Sequence, residues 1–213
     1  MSELRITEIF YSLQGEAVSV GCPTVFIRLT GCPLRCVYCD TEYAFQGGEL
    51  LSLNNIMTQV ETFKTDFVCV TGGEPLAQKS CLELMVQLCD AGKFVSIETS
   101  GALDISEIDP RVSIVMDLKT PASGEESKNK LDNFEYLKPS DQLKFVLSDF
   151  KDYDWAKKLM LEHQLEERFD VLMSPVWQKL SAKELADRIL KDQLAVRMQV
   201  QLHKILWENE PGK

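Results

Sequence analysis

The sequence predicts an α/β fold, an incomplete, open parallel β/α barrel of about six to seven strands. Three observations carry that reading. Short apolar runs rich in β-branched residues alternate with longer runs of helical period. Four of these runs in succession end in polar tips, namely the loop opening at Gly31-Cys32, then Thr71-Gly72-Gly73-Glu74, Glu98-Thr99-Ser100 and Asp117-Leu118-Lys119. Chemistry at the C-terminal ends of strands is the arrangement of a parallel β/α barrel. The third observation is length: 213 residues fall short of the roughly 250 that an eight-fold barrel uses. One domain, 1–213, is expected.

Leu4–Phe10 alternates as a half-buried strand and runs into the polar corner Ser12-Leu13-Gln14-Gly15-Glu16. Thr24–Leu29 is an apolar run interrupted by Arg28, whose guanidinium needs a partner if it is buried; an intramolecular ion pair would supply one. The run delivers its end into a cysteine-rich loop, 31–47. Leu53, Ile56, Met57, Val60 and Phe63 predict a helix over 52–64 packed on the sheet. Phe67–Val70 is the next strand, and Gly72-Gly73 at its tip lets the backbone approach a ligand closely, its N–H and C=O groups forming an edge. Ser80-Cys81-Leu82-Glu83 has the form of a capping box and predicts a helix that stops at Gly92. Phe94–Ile97 and Val112–Met116 are strands. Residues 120–140 lack apolar periodicity and predict a long loop of the kind that covers a site. Leu143–Leu147 is a strand with Lys144 embedded in it. Tyr153–Leu165 and Ser181–Leu194 read as amphipathic helices either side of the strand Asp170–Met173, whose tip is Ser174-Pro175-Val176-Trp177. Val196–Leu202 is the expected last strand, leading to His203-Lys204, and His163 is expected on an exposed helix face.

Composition narrows the function. At 45% hydrophobic and 26% charged residues the chain is an ordinary globular sequence. No apolar run nears 18 residues and no basic-then-apolar leader opens the chain, so neither membrane nor export is expected and the location expected is cytoplasmic. A net charge of −10 argues against nucleic-acid partners, which draw affinity from an excess of Lys and Arg. Seven cysteines, three of them clustered, fit metal ligation in a reducing compartment better than a disulfide framework. Cys22, Cys69, Cys81 and Cys89 are expected as core or near-surface thiols.

The clustered three are Cys32, Cys36 and Cys39, at Cys-x3-Cys-x2-Cys spacing. Structural zinc and iron–sulfur sites usually take four protein ligands, so three thiolates leave one coordination position open. From this loop alone a zinc knuckle, or a disulfide with a spare thiol, remains open. The spacing resembles the cluster loop of the radical S-adenosylmethionine (SAM) superfamily, as does the Gly-Gly-Glu-Pro stretch at 72–75. In that superfamily three cysteines hold three irons of a 4Fe-4S cluster and the fourth iron chelates SAM.

Within it, nearly the whole chain resembles the family of 7-carboxy-7-deazaguanine synthases, through Leu13-Gln14-Gly15-Glu16, through Asp40-Thr41 after the last cluster cysteine, and through Gln201-Leu202-His203-Lys204. Ala17 and Val18 depart from it, standing where relatives often carry Gly and an aromatic residue. The resemblance implies radical conversion of 6-carboxy-5,6,7,8-tetrahydropterin to 7-carboxy-7-deazaguanine with loss of ammonia, in the queuosine pathway. It further implies a homodimer fed by an electron donor such as flavodoxin. It assigns the cluster to Cys32, Cys36 and Cys39, magnesium to Thr41, and substrate to Leu13, Gln14, Gly15, Arg28 and Thr71, with Arg28 on the substrate carboxylate. SAM falls to Tyr38, Gly73, Glu74, Asp117, Leu118, Lys119, Ser174 and Pro175. An activating enzyme for a glycyl-radical protein shares the cysteine spacing, and a non-enzymatic metal-cluster module is the remaining alternative; pterin turnover and bound iron separate them.

Overall fold

A computed structural model describes residues 2–208, 210 and 212. The sheet starts with an antiparallel pair, β1 (Glu3–Leu13) and β2 (Pro23–Leu29), and β3 (Glu49–Ser52) lies antiparallel on the other side of β1. From β2 onward every pairing is parallel, through β4 (Phe67–Gly72), β5 (Phe94–Thr99), β6 (Ser113–Leu118), β7 (Gln142–Leu147), β8 (Asp170–Pro175) and β9 (Arg197–Met198). The order is β3-β1-β2-β4-β5-β6-β7-β8-β9, with β3 and β9 at its two edges, so the barrel stays open as expected. The expected barrel of six to seven strands corresponds to the parallel run from β2 to β9; β1, also expected as a strand, pairs antiparallel, and β3, not expected, brings the sheet to nine.

Helices α1 (Leu53–Glu61), α2 (Ser80–Asp90), α3 (Phe150–His163), α4 (Leu165–Arg168) and α5 (Ala182–Asp192) connect the strands, and α6 (Leu202–Trp207) closes the chain. Ser52, Asp149 and Ser181 cap α1, α3 and α5 through their side-chain oxygens. Because successive strand residues face opposite sides, one sheet face buries Val25, Ile27, Leu29, Val68, Val70 and Ile97 against helix residues such as Ile56, Leu84, Leu88 and Ala156 in one hydrophobic cluster. Their neighbours Phe26, Arg28, Thr71, Glu98, Asp117 and Lys144 take the other face, which forms the inner wall of the open barrel. No helix among the described residues is long and apolar enough to cross a membrane.

Three local expectations are corrected. Ser80 does not cap α2: Lys79 before it is already helical (φ −55°, ψ −35°), because the 3-10 turn Pro75–Ala77 and the Cys81 N–H on Gln78 O start the coil earlier. The last strand shrinks from Val196–Leu202 to Arg197–Met198 and Leu202 begins α6; beyond Gln199, whose N–H still donates to Met173 O, the backbone turns to the 15–17 corner, where Leu202 N–H donates to Gly15 O. His163 is half-buried, edge-on to Phe134 with ring centroids 5.3 Å apart.

Candidate active site

A cavity of about 630 Å³ opens on the inner face of the sheet, at the C-terminal ends of the parallel strands. Its cysteine wall is the loop after β2. That loop is pinned at its first residue on both sides: Gly31 N–H donates to Ala44 O at 2.7 Å, and Gly31 O accepts Glu74 N–H at 2.8 Å. The tip of β4 presses against it. A Cβ on Gly73 would stand 2.3 Å from Gly31 O and 2.8 Å from the Cys32 Cβ, and Gly72 has φ +151° with the Leu29 carbonyl equally close, so both positions require glycine. The N–H groups of Gly73 and Glu74 are spent on Leu29 O and Gly31 O, so these two do not serve the ligand edge expected from Gly72-Gly73.

Cys32, Cys36 and Cys39 are half-buried free thiols lining this cavity, and burial pushes Cys36 up to about 11. Among the described residues no three Cys, His, Asp or Glu side chains meet closely enough to hold a single ion. A cluster is gripped differently, one thiolate to each of several irons, and three separated thiols around one cavity fit that demand. Lys119 adds positive charge beside them; although burial opposes its charge, Asp117 and Cys36 hold its pKa above the ordinary lysine value. Asp117 Oδ2 accepts Lys119 Nζ at 2.7 Å, whereas Oδ1 is buried with no partner among the described residues. An unfilled acceptor on the cavity wall suits a hydroxyl or amino donor of SAM. Tyr38 lies alongside, its hydroxyl donating to Val146 O at 3.1 Å, and burial raises it to about 12.

Strand register assembles the opposite wall. Arg28 is paired with Thr71 across β2 and β4, the Thr71 hydroxyl donates to Glu98 Oε2 at 3.4 Å, and Gln14 Nε2 donates to Glu98 Oε1 at 3.3 Å. Further along, Asp117 of β6 pairs with Lys144 of β7. Lys144 is buried and bonded to Glu16, whose other oxygen accepts Gln201 Nε2 at 2.9 Å. This wall therefore reaches the chain end: Ala17 N–H donates to Gln199 Oε1 at 2.9 Å, Leu202 N–H to Gly15 O at 3.1 Å, and His203 lies so close to Gly15 that a Cβ there would fall 2.3 Å from His203 Nδ1. Ala17 holds φ +65°, a left-handed conformation where glycine is easier. Thr41 also faces the cavity, its hydroxyl donating to Asp40 Oδ1 at 2.7 Å. The 120–140 loop, a chain of 3-10 turns, covers the cysteine loop through Ser123 O on Val37 N–H and Glu125 on Arg35 N–H.

Of the residues singled out from sequence, Leu13, Gln14, Gly15, Arg28, Cys32, Cys36, Tyr38, Cys39, Thr41, Thr71, Gly73, Asp117 and Lys119 line this one cavity. Four do not. Glu74 is fully buried behind the edge, its carboxylate taken by Thr99, Ser100 and Leu76 N–H. Leu118 falls on the helix-packed face. Ser174 and Pro175 are buried and do not line it, whereas Val176 and Trp177, next along the chain, do. Sequence reasoning did not assign Glu98, Glu16 or Phe26 to the site; the period of two from Arg28 and Asp117, carried across the parallel register, is the signal that reaches Glu98 and Lys144.

The sequence profile of the Radical SAM superfamily matches residues 26–120. A 7-carboxy-7-deazaguanine synthase of Chlorobaculum tepidum is 41% identical over 207 residues, covering 96% of this chain and 94% of that protein. A second, from Methanospirillum hungatei, is 42% identical over 206 residues, covering 96% and 86%. QueE from Escherichia coli superposes with a TM-score of 0.79 over 94% of this chain and 95% of its own at 22% identity, a likeness of fold. With identity of this order along almost the full length, the chain belongs to the 7-carboxy-7-deazaguanine synthase family of the radical SAM superfamily.

Proposed function

We propose that the cavity catalyses the ring contraction of 6-carboxy-5,6,7,8-tetrahydropterin to 7-carboxy-7-deazaguanine with release of ammonia, in queuosine biosynthesis. The observation that carries this reading is the meeting, in one cavity, of three free cysteines with Arg28, Gln14, Thr71 and Glu98. Cys32, Cys36 and Cys39 would bind three irons of a 4Fe-4S cluster, with SAM on the fourth; together they supply hydrogen-atom abstraction from the substrate. The chain's own residues position and shield. Tyr38, Gly73, Asp117 and Lys119 stand on the cysteine side, where SAM would lie. Arg28 offers a forked donor for the substrate carboxylate, and Glu98 with Gln14 offers acceptor and donor to the edge of a pterin ring. Thr41, with Asp40 beside it, presents oxygens of the kind magnesium prefers. Lys144, Glu16 and the segment from Gln199 to Lys204 fix the far wall and limit entry of water.

The chain works as a single domain, 1–213, with 31–47 as its cluster loop, in the cytoplasm, as a homodimer reduced by a donor such as flavodoxin. Anaerobic reconstitution followed by turnover with SAM, reductant and the carboxylated pterin tests the reading: 7-carboxy-7-deazaguanine and ammonia should appear in equal amounts. A brown, SAM-cleaving protein that leaves the pterin untouched would overturn the substrate assignment, and a colourless protein holding stoichiometric zinc would overturn the whole.

A further inference from the structure

The β1–β2 ladder shifts register between Ile6 and Glu8, and the shift sets Glu8 directly opposite Arg28, where opposite charges attract across a strand pair. Glu8 Oε1 accepts Arg28 Nε–H at 2.7 Å and the Tyr43 hydroxyl at 2.8 Å. The guanidinium lies 5.5 Å from the Phe10 ring centre and 5.8 Å from that of Tyr43. Phe10 is in turn braced by Phe26, with stacked rings 4.9 Å apart. Among the described residues Nε is the guanidinium nitrogen that carries a hydrogen bond; the two Nη groups, the edge that meets a carboxylate side by side, have no protein acceptor. Arg28 lines the cavity, whereas Glu8 faces a separate recess beside Gly48 and Gln59.

We propose that Glu8 is a positioning residue for this reaction: it grips Arg28 through Nε and so presents the Nη edge to the ligand carboxylate before the ligand arrives. The proposal rests on the reading of Arg28 as anchor of that carboxylate. Arginine is rich in rotamers, and ordering it in advance removes the cost from the binding step. What Glu8 contributes here is the placement of its acceptor oxygen. Its charge acts the other way, because a second carboxylate near the ligand's own repels it. Glu8→Gln keeps an acceptor for Nε–H and for Tyr43 while removing the charge; Glu8→Ala removes both.

The test is calorimetric binding to the anaerobically reconstituted full chain of two probes, 6-carboxy-5,6,7,8-tetrahydropterin and tetrahydropterin lacking the carboxyl. Glu8→Ala should weaken the carboxylated probe about tenfold and Glu8→Gln by no more than about threefold, the range set by ordering one long side chain on binding. Neither should change the uncarboxylated probe. Glu8→Ala added to Arg28→Ala should cost nothing beyond Arg28→Ala alone. Loss in Glu8→Gln equal to that in Glu8→Ala, or wild-type affinity in Glu8→Ala, overturns the positioning role. If Arg28→Ala binds both probes like wild type, the anchor itself is misassigned and both readings fall; if Arg28→Ala discriminates and Glu8→Ala does not, only this proposal falls.

Discussion

Single residues carry the chemistry, and their loss should be specific. Cys36→Ala should remove the cluster, seen as lost iron and lost visible absorbance after reconstitution, whereas Cys81→Ala, buried in the hydrophobic cluster, should keep both. Full activity in the Cys36 variant would end the radical assignment. Thr41→Ala should leave the cluster intact, slow pterin turnover by about a hundredfold, the scale of a misplacement of an ångström, and blunt the response to added magnesium; an unchanged magnesium titration sinks the metal site alone. The cysteines and Thr41 were readable from sequence because their geometry is local, three ligands and a hydroxyl within ten residues. Glu98 and Glu8 were not, because their roles come from tertiary pairing: Glu98 meets Thr71 when β4 and β5 align and Gln14 when the corner after β1 folds over them, and Glu8 meets Arg28 only through a bulge. Glu74 misled for a related reason, since the motif fixes its place in the loop but not the Ser100 and Thr99 donors that turn it away from the cavity.

At the scale of elements, alternation was enough to locate β1, and short apolar runs ending in polar tips were enough to locate β2, β4, β5, β6, β7 and β8, most of whose residues are buried. β3 escaped notice, being four residues long with its first two exposed, as did the shortness of β9, past which the backbone turns to bond the 15–17 corner. Contacts between elements give two predictions. Gly15→Ala places a Cβ against His203; overpacking of this kind costs about 1–3 kcal/mol, and amide exchange in 199–207 should quicken by about tenfold or more, read by mass spectrometry. Unaltered protection there would mean that His203 swings aside without loosening the segment. Asp192 ties α5 to α3 through Lys157 at 2.9 Å and Tyr153 at 3.1 Å, and the Lys157 bond foremost holds its carboxyl down at about 2. A carboxylate depressed in the folded state takes up protons more readily when unfolded, so its contribution is complete above about pH 4 and is lost as pH falls toward about 2. Melting curves of Asp192→Asn should therefore be flatter than wild type across that acid window, and parallel curves would contradict the pairing.

For the whole molecule, the net charge of −10 sets the terms of association. The protein should form no salt-dependent complex with submicromolar tRNA, since it lacks the cationic excess that displaces counterions; a gel shift that fades with added salt would refute this. The open sheet has a further consequence, for how firmly a cluster is enclosed. The cavity wall begins with Phe10, Leu13 and Gln14 and is completed by Gln201, His203 and Lys204, and the hydrogen bonds from Gln199 and Leu202 back to 15–17 are what join those two ends. Weakening that joint should leave one side of the cavity less enclosed, and iron in a reconstituted protein should then be lost to a chelator faster than from wild type, a rate read from the fading visible absorbance.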